Sequence, residues 1–307
     1  MASTLNVING TSSKDTLIGT DASDSINGLA GNDTLEGGKG DDILNGGTGN
    51  DKLSGGAGAN TYLFDDKWGN DTITLSGALD TVDLSKIHSS VHATMWNTSA
   101  HEVSDGTNTI DWIGVVKNIK TGLGNDVVYG DNGDNTIETG GGNDTVDGGR
   151  GNDTIIGGKG NDVLSGGYND DTYIFSKGEG HDIVDEYGQY GIGGTDTIRF
   201  DKSVSQKDVV FFENFEGLIN NNGDPVDLKV GLADTQDGMI VTNQLPYAPA
   251  IEKFELTDGS YLTDVDVNLV IQSMASYAVS HGIAFNNITD VENNANLMSI
   301  VNSAWHH

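Results

Sequence analysis

Apolar residues return along much of the chain at a fixed step of nine. From Gly10 they fall at Leu17, Ile26, Leu35, Leu44, Leu53 and Tyr62, and from Thr121 at Val128, Ile137, Val146, Ile155, Leu164 and Tyr173. Each is the eighth residue of a nonapeptide such as GGKGDDILN at 37–45, in which glycine leads and an acidic residue stands sixth. A parallel β-helix with two short strands per coil accommodates this step, using two nonapeptides per turn. The first six residues then make a turn, and the eighth points into the axis.

The duplication runs past the repeats. TYLF at 61–64 matches TYIF at 172–175, WGNDTI at 68–73 matches EGHDIV at 179–184, and LDTVDL at 79–84 matches TDTIRF at 195–200. Each half therefore reads as a repeat block with a closing segment. Residues 85–120 lose the glycines; VHATMW and NTIDWIGVVKNI read as strands, expected to be further rungs without metal. Residues 201–262 also read as strands and turns. In DVDVNLVIQSMASYAVSHG, Asp264 is placed to cap a helix, and Leu269, Val270, Met274, Tyr277 and Ala278 form an apolar stripe. A second short helix is expected from Asp290. The expected class is all-β: a parallel β-roll (β-helix) solenoid in two blocks, 1–64 and 121–175. A closing segment with metal-free rungs occupies 65–120, a β-rich cap 176–263, and a helical tail 264–307.

Charge changes the picture. The 307 residues hold 46 Asp+Glu against 15 Lys+Arg, a net charge of −31 that opposes compaction unless cations neutralise it. It argues against nucleic acid and anionic membranes as partners, since both need basic patches. There is no cysteine, so neither disulfides nor thiolate metal sites exist. The start, MASTLNVING, has neither the basic segment nor the apolar core of a secretory signal, and no apolar run is long enough to span a membrane.

The sixth position is Asp15, Asp24, Asp33, Asp42, Asp51 and then Asn60 in the first block. In the second block it is Asp126, Asn135, Asp144, Asp153, Asp162 and Asp171. Glycine permits positive φ and close carbonyl approach, and the Asp then projects between stacked turns. Calcium suits that gap, because it takes six to eight oxygens from carbonyls and carboxylates. Magnesium wants a stricter octahedron, and zinc lacks Cys or clustered His in the repeats. The repeats resemble the GGxGxDxUx motif of the RTX (repeats-in-toxin) family. Ten of the twelve units keep the acidic sixth position.

The resemblance implies several bound Ca²⁺ ions, eight or more if each half stacks about four sites. It implies carbonyl ligands from Gly31, Gly40, Gly49, Gly142, Gly151 and Gly160, with weaker sites at Asn60 and Asn135. It further implies folding outside the cell on calcium, and export by type I secretion machinery through an uncleaved C-terminal signal. Residues 264–305 stand where that signal would be, and they are expected to be separable from calcium folding.

Blander readings stand beside several residues. Asp71, Asp182, Asp80 and Asp196 recur in the closing segments, either as flanking calcium ligands or as turn-capping carboxylates. His88, His92 and His101 suggest a metal trio, but surface strand histidines explain them better. Trp68, Trp96 and Trp112 read as core or cap rather than sugar-stacking platforms. There is no HExxH, GxSxG or Walker loop, so no catalysis is expected. The function expected is a secreted, calcium-folded structural or self-assembling surface or matrix protein. A homo-oligomer or filament would form through its solenoid ends. The alternative is the C-terminal calcium-folding and export module of a larger toxin, adhesin or enzyme.

Overall fold

The computed structural model describes residues 5–76, 79–96, 103–185, 194–213, 226–233, 235–244, 251–282, 290–291 and 293–307. The chain divides into two compact units, Met1–Gly151 and Asn152–His307, the boundary falling inside the second glycine-rich block.

In the first unit the nonapeptides alternate between two parallel sheets. One sheet pairs Ile8 with Ile26, Ile26 with Leu44 and Leu44 with Tyr62; the other pairs Leu17 with Leu35 and Leu35 with Leu53. The partner is always 18 residues away, so two nonapeptides make one coil, as the step of nine predicts. Every other strand residue faces the axis, and Ile26, Leu35, Leu44, Leu53 and Tyr62 are at most 1% exposed. The Tyr62 hydroxyl takes a hydrogen bond from the Gly55 N–H (2.8 Å) and gives one to the Thr74 carbonyl (2.6 Å), so its polar end is satisfied inside the core. Extra residues lengthen the next coil to 20: Leu53 pairs with Ile73 and Tyr62 with Val82. Trp68 and Trp112 are buried, as expected of core residues, whereas Trp96 is 47% exposed.

Residues 85–120 differ from the expected run of rungs. Thr109–Ile113 continues the parallel sheet beside Asn70–Thr74, and Asn118–Lys120 lies beside Thr81–Lys86. Val103–Ser104, however, runs antiparallel to both Thr109–Ile113 and His92–Thr94. The cause is a tight turn in which Asp105 Oδ1 accepts the Thr107 and Asn108 N–H groups (2.8 and 2.7 Å), with Gly106 at φ +87°.

At the other end of this unit, Asn6–Asn9 pairs with Asp24–Asn27 and Thr16–Ile18 with Thr34–Lys39, each on one side only among the described residues. Leu5, Val7 and Ile18 there are 40%, 60% and 63% exposed.

In the second unit, Thr154–Ile156, Thr172–Phe175, Thr197–Phe200 and Lys253–Leu256 form one parallel series, with Tyr261–Thr263 antiparallel at its edge. Val163–Tyr168, His181–Val184 and Gly238–Gln244 form the other, extended by antiparallel Val226–Leu232 and Val209–Glu213. Phe211 and Phe254 pack edge to face, 5.1 Å between centroids.

The tail corrects the sequence reading in two places. Thr263, not Asp264, caps helix α1 (Asp264–His281): its side chain accepts the Asp266 N–H, and Asp266 Oδ2 accepts the Thr263 N–H at 2.9 Å. The buried stripe is Val267, Val270, Ile271, Met274 and Ala278, while Leu269 is exposed. Asp290 and Val291 are helical, as expected of a helix begun at Asp290, and a further helix α2 (Ala295–Ser303), capped by Asn294, buries Leu297 and Val301. Helix α1 packs on α2, on Val209–Glu213 and on Tyr261–Thr263. The tail therefore packs into the core of the second unit. Among the described residues no helix is long and apolar enough to cross a membrane.

Turns between coils run through left-handed backbone. Gly49 has φ +140°, and the space a Cβ would take there holds the Gly31 carbonyl oxygen. Leu29 adopts φ +78° at a position where most repeats carry glycine, and is 52% exposed. A left-handed non-glycine residue costs about 1–2 kcal/mol. Leu29→Gly is therefore expected to stabilise the calcium-loaded protein by about 1 kcal/mol, read from its denaturant midpoint.

Candidate metal centre

Stacked coils bring the sixth-position side chains into register, and each hands one carboxylate oxygen to the coil before it. Asp33 Oδ1 accepts the Asp15 N–H (2.7 Å), Asp42 Oδ1 that of Asp24 (2.8 Å), Asp51 Oδ1 that of Asp33 (2.7 Å) and Asp71 Oδ1 that of Asp51 (2.7 Å). Asn60 Oδ1 takes the Asp42 N–H and Asp80 Oδ1 the Asn60 N–H. Further along, Asp144 Oδ1 takes the Asp126 N–H and Asp126 Oδ1 that of Val91. The second unit repeats the device: Asp171 Oδ1 accepts from Asp153, Asp182 Oδ1 from Asp162, Asp196 Oδ1 from Asp171, and Glu252 Oε2 from Asp196, all at 2.7–2.9 Å. Asp71, Asp182, Asp80 and Asp196 thus continue the same ladder outside the glycine-rich repeats. Glu252 was not anticipated. Its signal is an acid followed two residues later by a buried apolar residue, as in Asp80/Val82, Asp196/Ile198 and Glu252/Phe254.

The second carboxylate oxygen has a different fate. Oδ2 of Asp33, Asp42, Asp51 and Asp71 is buried and finds no hydrogen-bond donor among the described residues, in side chains only 1–2% exposed. Burying an ionised oxygen without a partner costs several kcal/mol. The first-position glycines frame these oxygens: a Cβ on Gly28 would stand 2.5 Å from both Asp33 Oδ2 and the Gly46 carbonyl oxygen. Gly37 stands likewise against Asp42 and the Gly55 carbonyl. An anionic oxygen beside backbone carbonyls, with no N–H in reach, is the donor set a hard cation takes, and calcium fits it. Among the described residues no three carboxylates or histidines converge, so carbonyls must supply most of each ion's shell.

The remaining residues sort by their contacts. Gly31, Gly40, Gly49, Gly142, Gly151 and Gly160 all have φ between +107° and +144°. The carbonyl oxygens of Gly31, Gly40, Gly49 and Gly160 lie against the matching glycine of the next coil. The carbonyls beside Asp33 and Asp42 Oδ2 instead belong to first-position glycines, which the sequence reading did not single out. Asp144, Asp153, Asp162 and Asp171 are about 1% exposed in the same ladder. Asp15 and Asp24 turn Oδ2 onto the Thr11 and Thr20 N–H groups, each at 2.6 Å. Asn60 closes its amide on the Gly56 carbonyl (3.2 Å), and Asn135 exchanges hydrogen bonds with Asp131 (2.8 and 3.2 Å). His88 pairs with Asp66 (2.9 Å) and His92 packs against Tyr129, so these two do not meet; His101 lies outside the described residues.

Electrostatics separates the members. Burial pushes Asp71 and Asp182 up to about 8, aided by the charges of Asp51 and of Asp162 respectively, and pushes Glu179 to about 7. Burial also raises Asp42 and Asp51. Burial acts upward on Asp24 too, but the Thr20 donors and the Asn6 amide outweigh it and hold that carboxyl below its ordinary range.

Carboxyls that titrate higher folded than unfolded (about 4) stabilise the fold at low pH and lose that contribution as pH rises toward about 8. Calcium-stripped protein is therefore expected to gain structure on acidification from pH 8 to pH 5, read by circular dichroism, and Asp71→Asn should flatten part of that slope. Calcium-loaded protein should respond oppositely, its calcium midpoint rising as protons compete for the ligands. A second pair of variants separates the two oxygens. Asp51→Asn keeps an acceptor for the Asp33 N–H, whereas Asp51→Ala leaves that N–H unpaired at about 1–3 kcal/mol. Both should weaken calcium binding, but in chelator only Asp51→Ala should be less stable than the wild type, as urea titration would register.

A family model for the RTX calcium-binding nonapeptide repeat matches four times, over residues 9–44, 36–66, 120–155 and 147–184. Among solved structures the chain is similar to the crystal structure of extracellular lipase LipA from Serratia marcescens, at 18% identity and a TM-score of 0.21, covering 76% of this chain. It spans 38% of that lipase chain. No curated protein matches. The sequence step of nine, the 18-residue coils and the family match agree: residues 9–66 and 120–184 are RTX calcium-binding nonapeptide repeats.

Proposed function

We propose that this chain is a secreted RTX protein that folds on extracellular calcium and serves as a structural, self-assembling component of a surface layer, filament or matrix, with no catalytic centre of its own. The observation that carries the calcium-folding part is the set of buried, donorless Oδ2 atoms at Asp33, Asp42, Asp51 and Asp71. In a chain of net charge −31, coils bearing such oxygens are stable only with cations between them. Low calcium inside a cell and millimolar calcium outside would then restrict folding to the exterior. The C-terminal helices would serve as the type I export signal while the chain is unfolded, and afterwards as part of the second unit's core.

Assembly is supported by the first rung. Among the described residues Asn6–Asn9 and Thr16–Ile18 pair on one side only, beside exposed Leu5, Val7 and Ile18, and an open strand edge is a template for another chain. A head-to-tail contact through it need not close, and so builds a filament or sheet. The same edge favours a second reading, in which a preceding coil of a larger toxin, adhesin or enzyme pairs there. Light scattering of this chain during a calcium titration tests assembly. Growth beyond a monomer as calcium enters the millimolar range is expected, while a monodisperse monomer at high protein concentration would leave the second reading.

A further inference from the structure

From Asp15 to Asp80, position two of each nonapeptide divides the carboxylates into two kinds; Asp126, whose Oδ2 also lacks a donor among the described residues although Gly122 is outside the positive-φ region, lies outside this division. Where it is Thr11, Thr20 or Ser76, its backbone N–H donates to Oδ2 of the aspartate four residues on: Asp15 and Asp24 at 2.6 Å and Asp80 at 3.1 Å. The Thr11 and Thr20 hydroxyls add bonds to the same oxygens at 2.8 and 3.0 Å. Where position two has positive φ, Oδ2 is buried without a donor among the described residues. Gly38 (+106°) precedes Asp42, Gly47 (+90°) precedes Asp51, Leu29 (+78°) precedes Asp33 and Lys67 (+67°) precedes Asp71. The division follows conformation rather than residue type, since Leu29 and Lys67 carry side chains and still adopt the left-handed backbone. That conformation is unfavourable for them by about 1–2 kcal/mol, and it turns the N–H away from a charged oxygen. Both features destabilise the metal-free chain, and both are offset if that oxygen binds a cation.

We infer that, from Asp15 to Asp80, the backbone conformation at position two decides which aspartates hold calcium. Asp33, Asp42, Asp51 and Asp71 hold it; Asp15, Asp24 and Asp80 are satisfied by the chain's own donors and do not. The coil at residues 10–27 then carries no ion of its own and is an internally satisfied end to the calcium-dependent stack. Asp71 becomes a calcium ligand although Lys67 stands where the repeat would have glycine.

The inference rests on the calcium reading, and the test separates the two. Equilibrium dialysis against calcium, on the full chain, counts bound ions. Asp15→Asn and Asp24→Asn are expected to bind as many ions as the wild type, and Asp42→Asn, Asp51→Asn and Asp71→Asn at least one fewer each. Equal losses in Asp24→Asn and Asp42→Asn would overturn the division, as would no loss in Asp42→Asn. Thr20→Gly guards against a misfolded Asp24 variant: it retains Asp24 and permits positive φ, so it should bind one additional ion, and an unchanged count overturns the rule. A wild-type chain that binds no calcium would instead remove the calcium reading itself, and this inference with it.

Discussion

The two oxygens of one carboxylate hold the repeat region together and also make it conditional. Oδ1 ties each sixth-position residue to the backbone N–H of the coil before, and that bond recurs from Asp33 through Asp71 in one unit and from Asp171 through Glu252 in the other. Oδ2 faces a space framed by glycine carbonyls. A hydrogen bond between coils fixes register without any metal, but the price is a buried anionic oxygen on every coil that carries one. Stacking multiplies both effects, since each coil contacts chiefly its neighbours. The fold and its dependence on cations therefore have one origin.

Several other features follow from this arrangement. First-position glycines leave room for Oδ2, since a Cβ on Gly28 would meet Asp33. Fourth-position glycines let one coil lie directly on the next, as Gly49 does on Gly31. The apolar eighth residues need to be only moderately large, because two sheets about one side chain apart enclose a narrow core; Tyr62 closes it with a hydroxyl bonded at both ends. Where the solenoid gives way to an ordinary globular fold, in the second unit, antiparallel strands and helices α1 and α2 supply a wider core built on Phe211, Phe254, Val270 and Met274.

Amino-acid substitutions along the ladder tune it position by position. Asn60 keeps the acceptor role and drops the charge, and its amide closes on the Gly56 carbonyl. Asn135 exchanges bonds with Asp131 inside its own turn. The Thr11 and Thr20 hydroxyls add donors that glycine lacks. Departures from the repeat consensus are thus local changes in which group satisfies the sixth-position side chain.

The period of nine determined the coil, the parallel sheets, the axial residues and the sixth-position acids, because each is a local matter of spacing and glycine placement. The closing segments were legible as a duplication, but their membership of the ladder was not: the partners of Asp80 and Asp196 lie 20 and 25 residues back, outside any fixed step. The antiparallel strand Val103–Ser104 depends on a turn at Asp105 that a run of short apolar stretches does not specify. Which face of α1 is buried was decided by the strands it packs on, and so Leu269 lies outside and Val267 and Ile271 inside. Above all, sequence could place an aspartate at each sixth position but not assign its two oxygens. From Asp15 to Asp80 that assignment follows whether the backbone at position two is left-handed, a conformation that Leu29 and Lys67 take although their residue types do not favour it.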